Sequence, residues 1–313
     1  MSKDFLVALE EVLANRLNSS QSFEFQSVNK NNGVALMAVI IKDMASNIAP
    51  CIYLEQYEER YNNGEDIESL VNEILRTSAS AKGCEGVDLS DITNWDKAKK
   101  NLVYRLVNKE RNADRLKDAP HIDYLDLAIV FYIDLADNDE GLASTLVTNK
   151  MVKCWGNPTT DELITVAKAN TEVKYTATVN CMSSMVSAMM CGEAPNTDSA
   201  NLIGDSFKGE NFRMNVTQGE PMHVVTNDKQ LNGANAICYT GLCKAFAEFM
   251  ENDFYIIPSS IHECLFVPCG GNFGADELRA MVTDVNNTQV QPTEILSYNV
   301  YKYTRATDTI TIA

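Results

Sequence analysis

The sequence has few histidines, few tryptophans and a shortage of basic residues. Among its 313 residues are only three histidines and two tryptophans. His121, His223 and His262 are all the imidazoles, so a metal site built mainly from histidine is not expected. There are 26 Lys and Arg against 43 Asp and Glu, a formal net charge of −17. Because nucleic-acid phosphates attract clustered Lys and Arg, this charge predicts that the chain does not bind nucleic acid directly.

Long apolar runs and a signal-peptide pattern are also missing. No stretch approaches the roughly 18 apolar residues of a membrane-spanning helix. The first residues, MSKDFLVALEEVLANR, are too acidic and too periodic for a secretory signal. Nine cysteines, an odd number, are scattered from Cys51 to Cys269 and predict reduced thiols rather than a disulfide framework. We therefore expect a cytoplasmic protein that does not enter a membrane.

The composition and element pattern predict the fold class. Hydrophobic residues make up 45% and charged residues 22%, which is typical of soluble globular proteins. Helical and strand patterns are mixed without regular alternation, which favours an α+β fold with mainly antiparallel sheets. The length predicts about two domains or one large one. We expect subdomains at 1–156 and 157–313, with a long surface loop at about 192–220.

Several local elements are predicted by periodicity and capping residues. Ser2 is placed to cap a first helix whose apolar residues recur with helical spacing. A further helix is expected at about 96–108, and the apolar stretch 121–135 is expected to form one central strand. Thr159 and Glu162 have the spacing of a capping box at the start of another helix.

The segment Ser259-Ser260-Ile261-His262-Glu263 is the most enzyme-like part of the sequence. It places hydroxyls, an imidazole and a carboxylate within five residues, and nucleophilic catalysis needs these groups within hydrogen-bond reach. The alternative is a turn between two strands, because neighbouring strand residues point to opposite faces. Pro258 and the serines are typical turn residues.

A second group of candidate residues lies around His121. His121 and Asp123 would share one face of a strand, and Asp126 would lie on the other. A histidine with a carboxylate is able to bind a divalent ion or form an acid–base pair, and His121 or Asp126 would assist His262 in a hydrolase. The alternative is a strand end where polar residues meet solvent.

The spacing of four cysteines resembles that of zinc ligands. Cys238 and Cys243, then Cys264 and Cys269, each read C-x4-C, which permits a zinc site with four thiolate ligands. The alternative is that these thiols pack as small hydrophobic residues in a helix and a strand. No dinucleotide or phosphate-loop pattern occurs, so no cofactor is expected.

An acidic run spans the region from residue 55 to residue 68. It is broken only by Arg60 and contains Glu55, Glu58, Glu59, Glu65, Asp66 and Glu68. Such runs are usually solvated helix faces. The functional alternative is a docking surface for a partner with a basic surface.

Several longer stretches resemble a known bacterial family. These are IYLEQYEERYNNGEDIES (52–69), RLVNKERNADRLKDAPHIDYLDLAIVFY (105–132), VVTNDKQLNGANAICY (224–239), FYIIPSSIHECLFVP (254–268) and MVTDVNNTQVQPTEILSYNVYKY (281–303). In residue pattern and in their order along the chain, they are similar to the family domain of unknown function 5688. The resemblance implies a gene of gut anaerobes, often on mobile elements, and no established activity. The Cys-, Ser- and Met-rich segment 180–211 departs from the family pattern.

These observations lead to two functional hypotheses. The first is a non-enzymatic acidic protein that binds a macromolecular partner, as a mobile-element accessory factor or an inhibitor of a host nuclease or defence complex. The second is a hydrolase that uses His262 with Glu263, Ser259 or Ser260.

Overall fold

The chain forms two compact units. The computed structural model describes residues 1–44, 49–80, 89–138, 141–190, 211–271 and 273–313. The units are Met1–Asp88 and Leu89–Ala313. The expected boundary at 156 lies inside the second unit, where Trp155 and Leu163 belong to one hydrophobic core. Within the described ranges, no helix has both the length and the apolar character to cross a membrane.

The first unit packs three helices with a small antiparallel sheet. Its elements are α1 (Lys3–Arg16), β1 (Gln21–Asn29), β2 (Ala35–Asp43), β3 (Cys51–Tyr53), α2 (Glu55–Asn62) and α3 (Ile67–Ser80). The strand order is β1-β2-β3. The Ser2 hydroxyl accepts the Phe5 backbone N–H at 3.4 Å, so the predicted cap of α1 is confirmed. Leu9 and Leu13 of α1 are fully buried in a core with Leu70 and Ile74 of α3.

The second unit contains two sheets and the remaining helices. The helices are α4 (Leu89–Thr93), α5 (Trp95–Ala98), α6 (Ala113–Leu116), α7 (Asn149–Cys154), α8 (Thr160–Lys174), α9 (Met182–Met190), α10 (Leu242–Met250) and α11 (Ala275–Thr288). The strands are β4 (Leu102–Asn108), β5 (His121–Tyr124), β6 (Leu127–Asn138), β7 (Gly141–Leu146), β8 (Ala177–Cys181), β9 (Phe212–Asn215), β10 (His223–Asn227), β11 (Phe254–Ile257), β12 (Cys264–Pro268), β13 (Tyr301–Thr304) and β14 (Thr309–Ile312).

The two sheets of the second unit are mainly antiparallel. One has the order β14-β13-β11-β12-β10-β8-β9, with β8 and β9 parallel. The other has the order β4-β6-β5, and β7 pairs with the C-terminal part of β6. The expected α+β class is therefore confirmed.

The prediction of a helix at 96–108 was wrong. The helical segment α5 ends at Ala98, and Leu102–Asn108 is the strand β4. Tyr104 and Leu106 belong to the main core, whereas Val103 and Val107 belong to a separate cluster on the other face. A strand that is buried on both faces has no polar alternation, so its apolar run looks helical in the sequence.

The single strand expected at 121–135 was also wrong. It is a hairpin of β5 and β6, joined by a turn at residues 125–126 in which Leu125 has a φ of +56°. The capping box of Thr159 and Glu162 is confirmed at the start of α8. Of the loop expected at 192–220, positions up to 210 lie outside the described residues, and Phe212–Asn215 forms β9.

Side chains cover the outer edge of β4. The Asn235 side-chain amide accepts the Leu106 N–H at 2.9 Å and donates to the Tyr104 carbonyl at 2.9 Å. From α8, Thr171 accepts the Tyr104 N–H at 3.0 Å, and Asn170 donates to the Leu102 carbonyl at 2.8 Å. Unpaired strand edges invite pairing with other chains, so these side chains complete the sheet.

Candidate functional site

The serine hydroxyls of the segment 259–263 are engaged locally. This segment is the turn between β11 and β12. The Ser259 hydroxyl donates to the Glu263 carboxylate at 3.3 Å. The Ser260 hydroxyl accepts the backbone N–H of His262 at 3.0 Å. Both hydroxyls therefore act as turn-forming groups, and neither is hydrogen-bonded to the imidazole.

The imidazole of His262 faces two groups that the sequence did not indicate. Its Nδ1 accepts the backbone N–H of Asn232 at 3.3 Å, so the neutral ring carries its proton on Nε2. That Nε2 lies 3.6 Å from a carboxylate oxygen of Glu294, and both side chains are partly exposed. The structure brings His262 to Glu294, and it brings Ser259, rather than His262, to Glu263.

The turn that contains His262 rests on an unusually close backbone contact. Gly233 lies against it, and a Cβ at that position would be 2.5 Å from the His262 carbonyl oxygen and 2.2 Å from Oγ1 of Thr226. Thr226 itself donates to the same carbonyl at 2.8 Å. Glycine is thus required by packing, which gives the LNGANA stretch a structural role.

His121 and Asp126 have separate partners. Nδ1 of His121 lies 3.0 Å from the Ala119 carbonyl. The Asp126 carboxylate accepts three hydrogen bonds from the C-terminal region, from the Ser297 hydroxyl at 2.6 Å, the Asn299 amide at 3.0 Å and the Tyr301 hydroxyl at 2.6 Å. Asp126 therefore anchors the segment leading into β13, a role that only the folded chain shows.

The four cysteines of the possible zinc site are not arranged as metal ligands. Burial raises the pKa of Cys238 to about 12, and it raises the pKa of Cys243 and of Cys264 as well. Cys269 is only half-buried, and burial raises its pKa too. Across the described ranges, no group of three or more His, Cys, Asp or Glu side chains could hold a metal ion. Protonated thiols fit the packing alternative.

Most carboxylates of the acidic run have partners within the first unit. The contacts are Glu55 with the Met37 N–H at 2.7 Å, Glu58 with the Ser2 N–H, Glu65 with Arg60 at 2.7 Å, Asp66 with the Ser69 N–H at 3.2 Å and Glu68 with Arg16. Arg60 also donates to Glu73 at 2.8 Å. Glu59 is exposed and has no such partner among the described residues. The run thus mainly stabilises its own unit.

Other carboxylates of the first unit point to solvent. Asp4, Glu10 and Glu11 of α1 are exposed. Within the described part of the chain, none of the three has a hydrogen-bond or ion-pair partner. Residues 1–88 carry 14 Asp and Glu against seven Lys and Arg, a net charge of −7. This charge is concentrated in less than a third of the chain.

A cavity of about 460 Å³ lies in the second unit, and tyrosines form much of its wall. It is lined by four tyrosines: Tyr104 of β4, Tyr124 of β5, Tyr303 of β13, and Tyr239, which lies just before α10. Three of these tyrosines are at most 4% exposed, so their rings are held in place by packing. The cavity lies where the smaller sheet meets the C-terminal hairpin β13–β14.

Two lysines and two thiols complete the chemically distinctive wall. Lys168 of α8 and Lys244 of α10 line the cavity, and so do Cys238 and Cys243. The Tyr124 hydroxyl is hydrogen-bonded to Cys238, and burial raises the pKa of this tyrosine. The cavity combines aromatic and apolar surface with positive charge, which is typical of small-molecule sites. Sequence reasoning missed it because its residues are far apart in the chain.

A second cavity of about 600 Å³ also lies in the second unit. The turn segments 218–222 and 268–271 line it, together with Met250 and the exposed Phe273. Its charged lining groups are the carboxylates of Glu220 and Glu251. Turns form most of this wall.

Comparison with known proteins identifies a family whose function is unknown. The model of one protein family, described as "Family of unknown function (DUF5688)", matches residues 2–305. The resemblance inferred from the sequence is therefore confirmed over almost the whole chain. No curated protein and no solved structure shows significant similarity.

Proposed function

We propose that this chain, which belongs to the family of unknown function DUF5688, is a non-enzymatic protein that binds a macromolecular partner with a basic surface. The observation that carries the proposal is the set of exposed carboxylates in the first unit without internal partners. These are Asp4, Glu10, Glu11 and Glu59. Charges with no internal partner remain available for an external one.

The two helices that carry these carboxylates are in contact. Glu58 of α2 accepts the backbone N–H of Ser2, at the start of α1. The rings of Phe5 and Tyr61 also pack together, with centroids 5.4 Å apart. In this proposal the free carboxylates of these two contacting helices are taken together as one acidic region. Such a region accelerates encounter with a basic partner and repels phosphate backbones.

The partner in this proposal is a protein rather than a nucleic acid. A basic nucleic-acid-binding protein of the cytoplasm would match the charge, and an inhibitor of a nuclease or defence complex is the specific form we propose. The hydrolase alternative is less well supported, because neither Ser259 nor Ser260 is hydrogen-bonded to the imidazole of His262, and Glu263 accepts the Ser259 hydroxyl instead.

The test is affinity capture with a charge-reversed variant. Tagged full-length chain is incubated with host lysate at low salt and at about 0.5 M salt, where the screening length is a few ångströms. We expect one stoichiometric protein partner at low salt, lost at high salt. The triple variant E10K, E11K, E59K should also lose it, because the acidic region changes sign.

The control reverses three exposed carboxylates of the second unit, E110K, D118K and D284K. It makes the same change in net charge and should retain the partner. If both triple variants lose the partner equally, the interaction depends on net charge alone and the acidic region is not the binding surface. A partner that survives 0.5 M salt would also contradict the proposal.

A further inference from the structure

We propose that the tyrosine-lined cavity of the second unit binds a planar organic anion. In this arrangement Tyr124 and Cys238, which are partly exposed, contact the planar part of the ligand. The ammonium groups of Lys168 and Lys244 neutralise its carboxylate, sulfonate or phosphate. This ligand site is independent of the acidic region of the first unit.

The tyrosines give the cavity a rigid wall because their hydroxyl groups are already engaged. Tyr124 is partly exposed and presents ring surface to a ligand, whereas Tyr104, Tyr239 and Tyr303 are at most 4% exposed and mainly support the wall. The Tyr303 hydroxyl donates to Asp308 at 2.6 Å. The hydroxyls of Tyr104 and Tyr239 donate to backbone carbonyl oxygens at 3.3 Å and 2.7 Å. These bonds fix the rings before a ligand arrives, so little conformational entropy is lost on binding. The accessible ring of Tyr124 favours a flat ligand, because aromatic pairs prefer stacked or edge-to-face arrangements.

The volume of the cavity suits a ligand of two fused rings. An engineered cavity of about 150 Å³ in another protein binds benzene, and typical ligand sites have about 300–1,000 Å³. At about 460 Å³, this cavity is large enough for a bicyclic ring system with one charged substituent.

The charges at the cavity favour an anion over a cation. No described residue forms an ion pair with Lys244, which is exposed on α10. Lys168 lies 3.9 Å from Glu172. That carboxylate also accepts the Asn211 side-chain amide at 2.7 Å and the Thr240 N–H at 3.2 Å. Both ammonium groups thus retain capacity for a negative ligand, although the whole chain carries a charge of −17.

A cationic ligand is the competing possibility, because tyrosines also form cages for quaternary ammonium groups. The carboxylate of Asp308 also lines the cavity and accepts the Tyr303 hydroxyl, so the lining carries two positive charges against one negative charge. A cation would approach two lysines whose charges oppose it. The sign of the preferred ligand charge therefore distinguishes the two possibilities.

The experiment titrates the full-length chain with 1-naphthoate and, separately, with 1-naphthylmethylammonium, using calorimetry. The two probes have the same ring system and opposite charge. We expect 1-naphthoate to bind at least about tenfold more tightly, a modest difference for two nearby charges at effective dielectric constants near 20. Equal affinity, tighter binding of the ammonium probe, or no binding of 1-naphthoate at millimolar concentration would overturn the proposal.

Variants then locate the site. Lys244→Gln and Lys168→Gln should each weaken 1-naphthoate binding about tenfold by removing one charge. The matched control is Lys150→Gln on α7, an exposed lysine that does not line the cavity, and it should leave the affinity unchanged.

A blocking variant tests the cavity itself. Thr309 is exposed at its edge, so Thr309→Trp should abolish binding while the melting temperature stays close to that of the wild type. If Thr309→Trp binds 1-naphthoate like the wild type, or Lys150→Gln weakens binding as much as Lys244→Gln does, the probe binds elsewhere and the proposal fails.

Discussion

A single buried histidine makes the stability of the second unit dependent on pH. His223 of β10 is fully buried, and its ring packs edge-on against Phe246 with centroids 5.0 Å apart. Among the described residues, neither ring nitrogen finds a partner with hydrogen-bond geometry. Burial lowers the pKa of His223 to about 4, because the charged imidazolium would lose its hydration.

The direction of the pH effect follows from proton binding. Above pH 6.5 the imidazole is neutral in both the folded and the unfolded chain, and its contribution to the free energy of unfolding is fully present. Between pH 6.5 and about 4 the unfolded chain binds a proton that the folded chain does not, so stability falls as pH falls. Integrated over this window, the loss is about 3 kcal/mol.

The variant His223→Leu removes this titration and should flatten the pH dependence. We expect the free-energy difference between wild type and variant to shift by about 3 kcal/mol in favour of the variant between pH 7 and pH 4. The measurement is urea denaturation at several pH values. Carboxylates titrate in both proteins and cancel in the difference. A difference that stays constant with pH would show that His223 titrates normally or has a buried partner.

At the scale of elements, side chains take the place of a strand at the edge of β4. Asn235 occupies the position of a neighbouring peptide group, with one bond to the Leu106 N–H and one to the Tyr104 carbonyl. Both backbone groups belong to buried residues. Water therefore cannot replace these hydrogen bonds without a cost in free energy.

The substitution Asn235→Ala should leave these two backbone groups unpaired. We expect the free energy of unfolding to fall by about 3 kcal/mol, since each unsatisfied buried group costs about 1–3 kcal/mol. Chemical denaturation measures the loss, and hydrogen exchange should show faster exchange of the Leu106 amide. The control is Asn101→Ala at an exposed asparagine just before the same strand. Equal losses in the two variants would contradict the role of Asn235.

The elements that the sequence predicted correctly are those with local signals. The cap at Ser2 and the capping box at Thr159 follow from side chains that satisfy nearby N–H groups. The strand β4 was misread because its two apolar faces pack against different clusters. The hairpin of β5 and β6 was missed because Leu125, with its positive φ, is not a typical turn residue.

The candidate site was harder to predict than the fold. The segment 259–263 was found from residue types alone, but the partner of His262 is Glu294, more than 30 positions away. The tyrosine-lined cavity joins residues from 104 to 310. Spacing in the sequence carries no signal for such a cavity, because its walls come from elements that meet only after folding.

At the scale of the whole molecule, the division after residue 88 implies that each unit has its own core. In the first unit Phe5, Leu9 and Leu13 are fully buried against other residues of the same unit. In the second, the main core cluster extends from Ala98 to Tyr303. Units with separate cores are able to fold as separate domains.

We therefore expect a chain of residues 89–313 to fold without the first unit. Its thermal transition should match one transition of the full-length protein, and it should bind 1-naphthoate with unchanged affinity, because every residue lining the tyrosine-lined cavity lies in this unit. Calorimetric melting and titration of the shortened chain give both values. The shortened chain should also lose the salt-sensitive protein partner, whose proposed surface lies in the first unit. If it aggregates or melts without cooperativity, the second unit depends on residues 1–88, and the two cores do not define independent domains.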